Sequence, residues 1–347
     1  MSEKTMANIL ESKNILGIPL ILYMVLALNI SIENDDEIVD IYDQIFSLEK
    51  GIYDRCIKGI SYEEPHRISQ VKEQIHLISK NIAIWMFENE PEKPYISHDE
   101  YEKICNQVSN IPQNISIHQD FMIGNYFKKV RHCEGIETEK LYFVHRTIYE
   151  YFVAEAIFEP VKKAIEEMSN ESQEEFERSI AVNLKTGIMH NEICKYFTYK
   201  IKTIYDKFEE NKKDNFFEWL EKSFEKMLIH GMFFYSKENM SSFDNIIHKE
   251  VRCFLNILEV LRTLISISDK KYIMTYVEKE YLENYIKYSI MINNMRKREK
   301  IFAKLNLSRL FLTNINLSRM YIENIDLSWG NLTKIRIKGA SIFKTSF

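Results

Sequence analysis

The chain closes on "LNLSRLFLTNINLSRMYIENIDLSWGNLTKIRIKGASIFKTSF", Leu305–Phe347. Leu307, Leu312, Leu317, Ile322, Leu327, Leu332, Ile337 and Ile342 fall on every fifth residue, and Leu305, Leu310, Ile315, Met320, Ile325, Gly330, Ile335 and Ala340 keep the same beat two places earlier. A helix repeats near 3.6 residues and a strand near 2, so neither period yields eight consecutive units of five. A square coil does: four faces of five residues, with two side chains per face turned inward. The remaining positions are polar, among them Asn306, Ser308, Arg309, Thr313, Asn316, Ser318, Asp326 and Thr333.

This pattern resembles the pentapeptide-repeat family, whose members are right-handed quadrilateral β-helices. The resemblance covers Leu305–Phe347 and implies that the residues from Leu307 to Ile342 listed above form the repeat core. The family favours a small residue, usually Ala, two places before each centre. This chain keeps one at Gly330 and Ala340 and has Leu, Ile or Met elsewhere, which implies a wider or less regular coil. Eight pentads supply two coils. Solenoids bury their core by stacking, so two coils are expected to dock on what precedes them. Some members of the family mimic DNA and inhibit topoisomerases with a long acidic rod. Here the outward positions carry Arg309, Arg319, Lys334, Arg336, Lys338 and Lys344 against Glu323 and Asp326, so the sign disfavours that role.

At 347 residues the chain has room for two or three domains, and a globule of this size buries roughly three quarters of its unfolded surface. A formal charge of −5 argues against nucleic-acid binding driven by bulk charge, so nucleic acid is an unlikely partner. Nine glycines and six prolines are few, which favours helices. Five cysteines at wide, irregular spacing (Cys56, Cys105, Cys133, Cys194, Cys253) form neither a disulfide framework nor a metal knuckle, and read as reduced thiols of a cytoplasmic protein. "ILGIPLILYMVLAL", residues 15–28, is short of the roughly 20 residues that a bilayer needs, so it reads as a buried helix and no membrane partner is expected.

The expected architecture is mainly α, a winged helix plus a helical array, followed by the short β-helix. It divides into 1–66, a helical remnant of a nucleotide-binding module; 67–150, winged-helix-like; 151–300, a helical arm; and 301–347, the repeats. Asp35, Asp36 and Glu37 open "IVDIYDQIF" as a helix. Residues 67–87 form a long helix with Ile68, Val71, Ile75, Ile78, Ile82 and Trp85 on one side. Ser97 and Glu100 have capping-box spacing. "IHQDFMIGNYF" reads as a short helix, and residues 127–132 and 139–144 as a hairpin around Gly135. The helix in "YFVHRTIYEYFVAEAIFEPV" is apolar on most sides, with Arg146, Thr147 and Glu150 as a polar stripe. From Val161 to about Arg298 helix follows helix, with charged breaks such as "EENKKDN" at 209–215.

"GIPL", Gly17–Leu20, resembles the G-x-P segment of STAND ATPases. "FVHRTIYEYFVA" resembles the end of the winged helix in the NACHT branch of that superfamily, matching it at Phe143, His145, Glu150, Tyr151, Phe152 and Ala154. The resemblance implies that Pro19 packs on the adenine of bound ADP or ATP and that His145 touches its β-phosphate, holding a closed state. An imidazole, neutral or charged, can donate to a phosphate oxygen, and its loss would free the winged helix to swing. Read without the resemblance, Pro19 serves equally as a helix-start proline, and His145 as an ordinary hydrogen-bonding residue.

A P-loop requires G-x-x-x-x-G-K-[ST], whose backbone N–H groups and lysine cradle phosphates; the sequence contains none, nor the strand ending in Mg²⁺-binding acids. In the family both precede the G-x-P segment, so the chain is expected to be the later portion of a truncated or split NACHT protein. No G-x-S-x-G, HExxH or paired Cys/His nucleophile is present. No catalytic residue, metal or cofactor is therefore expected in this chain alone, and ATP or ADP only with a complementing NTPase segment. The implied role is a regulatory and sensing module that meets a protein partner or trigger, of a kind that in bacteria serves in defence against phage. The alternative is a free-standing pentapeptide-repeat scaffold.

Overall fold

Pro19, which lacks the N–H that a first-turn residue leaves unpaired anyway, opens the first helix at its first helical position. Helix α1 spans Pro19–Leu28 in a computed structural model that describes residues 18–32, 37–53, 65–89, 94–108, 127–132, 138–166, 174, 177–178, 184–185, 187, 189, 191–231, 243–267, 281–282, 284–286, 289, 305–306, 317–318, 321–323, 325–328, 331–343 and 346. The chain divides into two compact units, Met1–Val153 and Ala154–Phe347.

In the first unit, α1 buries Ile21, Met24 and Val25 but leaves Tyr23 60% and Leu26 45% exposed. The expectation of a buried helix therefore holds for one face only. Asn29, at φ 54°, ends the helix by turning left-handed, a conformation that asparagine tolerates. Helix α2, Ile38–Ile45, starts at a capping box in which Glu37 N–H donates to Asp40 Oδ2 at 2.9 Å. It buries Val39, Ile41, Tyr42 and Ile45. A tight turn follows: Gly51 N–H donates to Ser47 O (3.0 Å) and Ile52 N–H to Ile45 O (2.8 Å). A Cβ on Gly51 would collide with the Ile45 and Ser47 carbonyl oxygens, so only glycine fits.

Helix α3, Pro65–Asn89, buries Val71, Ile75, Ile78, Ile82 and Met86 along one stripe. Strand β1, Ile96–Ser97, leads into α4, His98–Val108, where Ser97 Oγ accepts the Glu100 N–H at 3.3 Å. Strands β2, Phe127–His132, and β3, Thr138–Phe143, pair antiparallel from Phe127↔Phe143 to His132↔Thr138. Ile96 pairs with Leu141, so the sheet order is β1-β3-β2 and the central Leu141 is fully buried. The short helix expected in "IHQDFMIGNYF" and the Gly135 turn lie outside the described residues. Helix α5, Arg146–Glu166, begins in the first unit and continues into the second.

The second unit contains α6, Asn191–Asp206, α7, Glu210–His230, and α8, Phe243–Ile267, with α8 against both others. Rings join them: Phe224 stacks on Phe254 (centroids 6.0 Å) and Phe254 on Tyr285 (5.0 Å). Residues 209–215, expected to break the helices, instead supply the cap and first turns of α7: Glu209 is its N-cap, and acids with spaced lysines suit a solvated helix start. The buried Asn256 on α8 donates through Nδ2 to Leu184 O and Gly187 O, both at 2.6 Å, and accepts the Met189 N–H at 2.9 Å.

The expected closing β-helix is overturned. The described residues are mainly helical, with short strands and no solenoid. Over 301–347 they hold two parallel pairs, β4 (Leu305–Asn306) with β6 (Ile325–Asp326) and β5 (Tyr321–Glu323) with β7 (Ser341–Phe343). Leu317 and Leu327 are buried, but Ile337 and Ile342, assigned to the same core, are each 38% exposed. Leu332 is half-buried, Ile322 lies in β5, and Leu307 and Leu312 are outside the described residues. The beat survives as local geometry. Each pair joins residues twenty apart, and the turns closed by Ile335 N–H to Leu332 O (3.1 Å) and Ala340 N–H to Ile337 O (3.0 Å) recur five apart. The physical obstacle is bulk: Leu, Ile and Met stand where a narrow coil takes Ala. Among the described residues no helix is long and apolar enough to cross a membrane.

Gly51→Ala is expected to cost about 2 kcal/mol through forced backbone displacement, read as a lower urea midpoint with an unchanged slope. Asn256→Ala is expected to cost about 3 kcal/mol, because two carbonyls and one N–H lose their partner in the interior; thermal unfolding monitored by circular dichroism measures it.

Candidate functional site

The second matched segment, which starts at Phe143, begins in the first unit, where α2 meets the start of α5. Behind the polar groups stands an aromatic cluster. Phe46 packs on Phe152 (centroids 4.8 Å) and Tyr151 (5.4 Å), and Phe143 reaches Phe152 and Tyr149 at 6.0 Å each. His76 meets Phe152 edge-on (5.7 Å) and pairs through Nδ1 with the Tyr53 hydroxyl at 2.7 Å.

His145 stands at the N-cap of α5. Its carbonyl accepts the Tyr149 N–H at 3.5 Å, and its Nδ1 accepts the Thr147 N–H at 3.3 Å. Thr147 is the second helical residue, whose backbone N–H an N-cap side chain ordinarily satisfies. A backbone N–H can only donate, so Nδ1 bears no proton and the neutral ring carries its hydrogen on Nε2. The Thr147 hydroxyl lies 2.8 Å from the same Nδ1 and bonds on its other side to the fully buried Tyr42 hydroxyl. With Thr147 donating to His145, Tyr42 donates to Thr147. Burial holds the His145 imidazole below its usual pKa, and the positive end of α5 acts in the same direction.

One turn further on, the buried Tyr151 donates its hydroxyl to the exposed Asp43 Oδ1 at 2.8 Å. Tyr42 and Asp43 are consecutive on α2, and Thr147 and Tyr151 lie four apart on α5, so two polar rungs cross between the helices. The Arg146 guanidinium, half-exposed, donates from Nε to Oε1 of the buried Glu150 at 2.9 Å. The polar stripe expected on α5 is thus a set of paired groups, with Glu150 inside. The Tyr149 hydroxyl, also buried, has no hydrogen-bond partner among the described residues, and burial raises its pKa.

Of the two nucleotide-contact candidates, Pro19 is exposed in the first turn of α1 and His145 is half-buried at the head of α5. No hydrogen bond, ion pair or ring contact among the described residues joins them. Gly17 lies outside those residues. Sequence reading missed the Tyr42–Thr147–His145 chain and the Tyr151–Asp43 rung. Their signal was the run of polar-tipped residues on helices otherwise assigned to core.

Other chemistry has little support. Cys105, Cys194 and Cys253 are free thiols; burial pushes Cys105 up to about 11 and raises Cys253 as well, so both stay protonated and poorly nucleophilic at neutral pH. Among the described residues no group of three or more His, Cys, Asp or Glu is placed to hold a metal. No protein-family model matches the chain, and no curated protein or solved structure matches it either.

Two phenol deletions should differ in sign. Tyr151→Phe removes a satisfied bond and is expected to cost about 1 kcal/mol, whereas Tyr149→Phe removes an unpartnered buried hydroxyl and is expected to be neutral or stabilising. Urea midpoints of the two variants beside the parent measure both.

Proposed function

We propose that this chain is a non-catalytic regulatory and protein-interaction module of a NACHT-type signalling ATPase. The observation that carries the reading is the pair of matched segments, Gly17–Leu20 and Phe143–Ala154, in the family's order. Two features of the first unit support it. His145 directs its acceptor nitrogen into α5, which leaves Nε2–H as a donor suited to a phosphate oxygen. The helix that Pro19 opens leaves Tyr23 and Leu26 exposed, apolar surface of the kind that meets a ligand ring or a partner.

In this reading the nucleotide is ADP or ATP, held by a P-loop on a complementing NTPase segment. His145 donates to its phosphate and Pro19 packs on its base. The second unit receives the trigger, and the module works in the cytoplasm, where its thiols stay reduced. The chain by itself does not turn over ATP.

The test is reconstitution with a P-loop segment encoded beside this chain. The two are expected to co-purify in an ADP-dependent complex that His145→Ala weakens at least tenfold. ATP hydrolysis by the purified chain, lost on mutating one of its own residues, would overturn the proposal, as would binding indifferent to ADP.

A further inference from the structure

Three parts of the molecule invite a further reading. The Tyr95–Lys140–Tyr142 cluster of the sheet is already self-paired, with the Lys140 ammonium 3.9 Å from the centre of the Tyr95 ring. The exposed face of α1 has nothing that shows what covers it. The hydrogen-bonded chain at the head of α5 goes further, because its geometry fixes where protons reside.

We infer that His145, Thr147 and Tyr42 form a pH-sensitive latch that ties α2 to the start of α5 and opens when His145 is protonated. The argument rests on donor and acceptor count. Nδ1 receives the Thr147 N–H at 3.3 Å and faces the Thr147 hydroxyl at 2.8 Å, so the assembled chain needs an unprotonated Nδ1. A proton there sets Nδ1–H against the Thr147 N–H, donor against donor, and removes the cap. It also places a cation at the positive end of the helix dipole. The Thr147 hydroxyl, which donated to His145, must then receive from it. Either it turns to donate to Tyr42, or its oxygen accepts from both while its own proton loses its partner, and each outcome disturbs the Tyr42 link. Tyr42 is fully buried, so the link it makes to Thr147 lies inside the unit.

The cluster holds a second imidazole, His76 on α3, which pairs with the Tyr53 hydroxyl and meets Phe152 edge-on, away from the Tyr42–Thr147–His145 chain, so a His145→Asn variant separates the two. Arg146 and Glu150 are paired with each other on α5. On α2, Asp43 is exposed and engaged by Tyr151. Burial raises the pKa of the neighbouring Tyr149 phenol, away from neutrality. Burial lowers the His145 pKa in the folded chain, so the unfolded chain binds the proton more readily. The latch contribution is therefore present above about pH 6.5 and lost as the pH falls through the lower, folded value. The inference uses only contacts within the first unit and does not depend on a nucleotide reaching His145.

Hydrogen exchange of the full chain tests it. Protection is followed in peptides covering residues 38–46 and 143–152 between pH 8 and 5, corrected for the intrinsic pH dependence of exchange. In the parent, protection is expected to fall in both peptides together, by about fivefold, as loss of an N-cap implies. His145→Asn keeps a capping acceptor that does not titrate, and should stay flat. Thr147→Val keeps the cap N–H but cuts the link to Tyr42, so the α2 peptide should be weakly protected at every pH. Parallel falls in the parent and His145→Asn, or a fall confined to residues 143–152, would overturn the latch. A direct measurement on the parent alone, the imidazole nitrogen spectrum of ¹⁵N-histidine protein at pH 8, must show Nδ1 unprotonated. A proton on Nδ1 there also overturns it, even if a variant fails to fold.

Discussion

Phe46 and Phe152 meet at 4.8 Å, and the described part of the first unit is arranged around that contact. The rings come from the C-cap of α2 and from α5, more than a hundred residues apart in the chain. Around them Tyr42, Tyr53, Phe143, Tyr151 and His76 close a cluster in which rings meet tilted, stacked or edge-on, as their quadrupoles favour. Once the cluster forms, polar tips of the same residues are carried to fixed places. The Tyr53 hydroxyl reaches His76, the Tyr151 hydroxyl reaches Asp43, and the Tyr42 hydroxyl reaches Thr147. Apolar packing supplies the energy and the hydroxyls supply the register, since a hydroxyl taken from water must find a partner inside.

The head of α5 is a compromise between these demands. A helix start normally takes Ser, Thr, Asp or Asn as its cap. Here a histidine does the work, and the choice makes the helix start sensitive to protonation where a serine would not be. Glu150, buried one turn further on, is tolerable because Arg146 reaches it at 2.9 Å. Tyr149 is the exception. Its hydroxyl is buried without a partner among the described residues, and we have no physical account of it.

Local signals were legible in the sequence, and long-range ones were not. The Ser97–Glu100 cap, the apolar stripe of α3 and the hairpin at Phe127–His132 and Thr138–Phe143 follow from spacing and turn chemistry. Asp35–Glu37 marked the start of α2 because acids suit the positive end of a helix. The pairing of Tyr42 with Thr147 left no local trace, since |i−j| is 105 and either residue alone reads as packing or polar stripe. The five-residue beat misled in a particular way. A strict period reports that neighbouring segments share a geometry, but not that enough of them stack to close a core. Here it yields turns and short parallel pairs, while Ile337 and Ile342 remain in part outside. The charged run at 209–215 misled because the signs that mark a break also suit a solvated helix start.

Asn256 has a consequence for the order of events in synthesis. Its side chain is the partner for Leu184, Gly187 and Met189, which precede it by 72, 69 and 67 residues. When that earlier segment leaves the ribosome, its partner has not yet been made. Water must hold the two carbonyls and the N–H until α8 has emerged and docked. This part of the second unit thus has the high contact order that slows folding, although every described element near it is a helix. Chain growth and structural closure run out of step there. The helical arm is committed late, by one amide side chain near its third helix's midpoint.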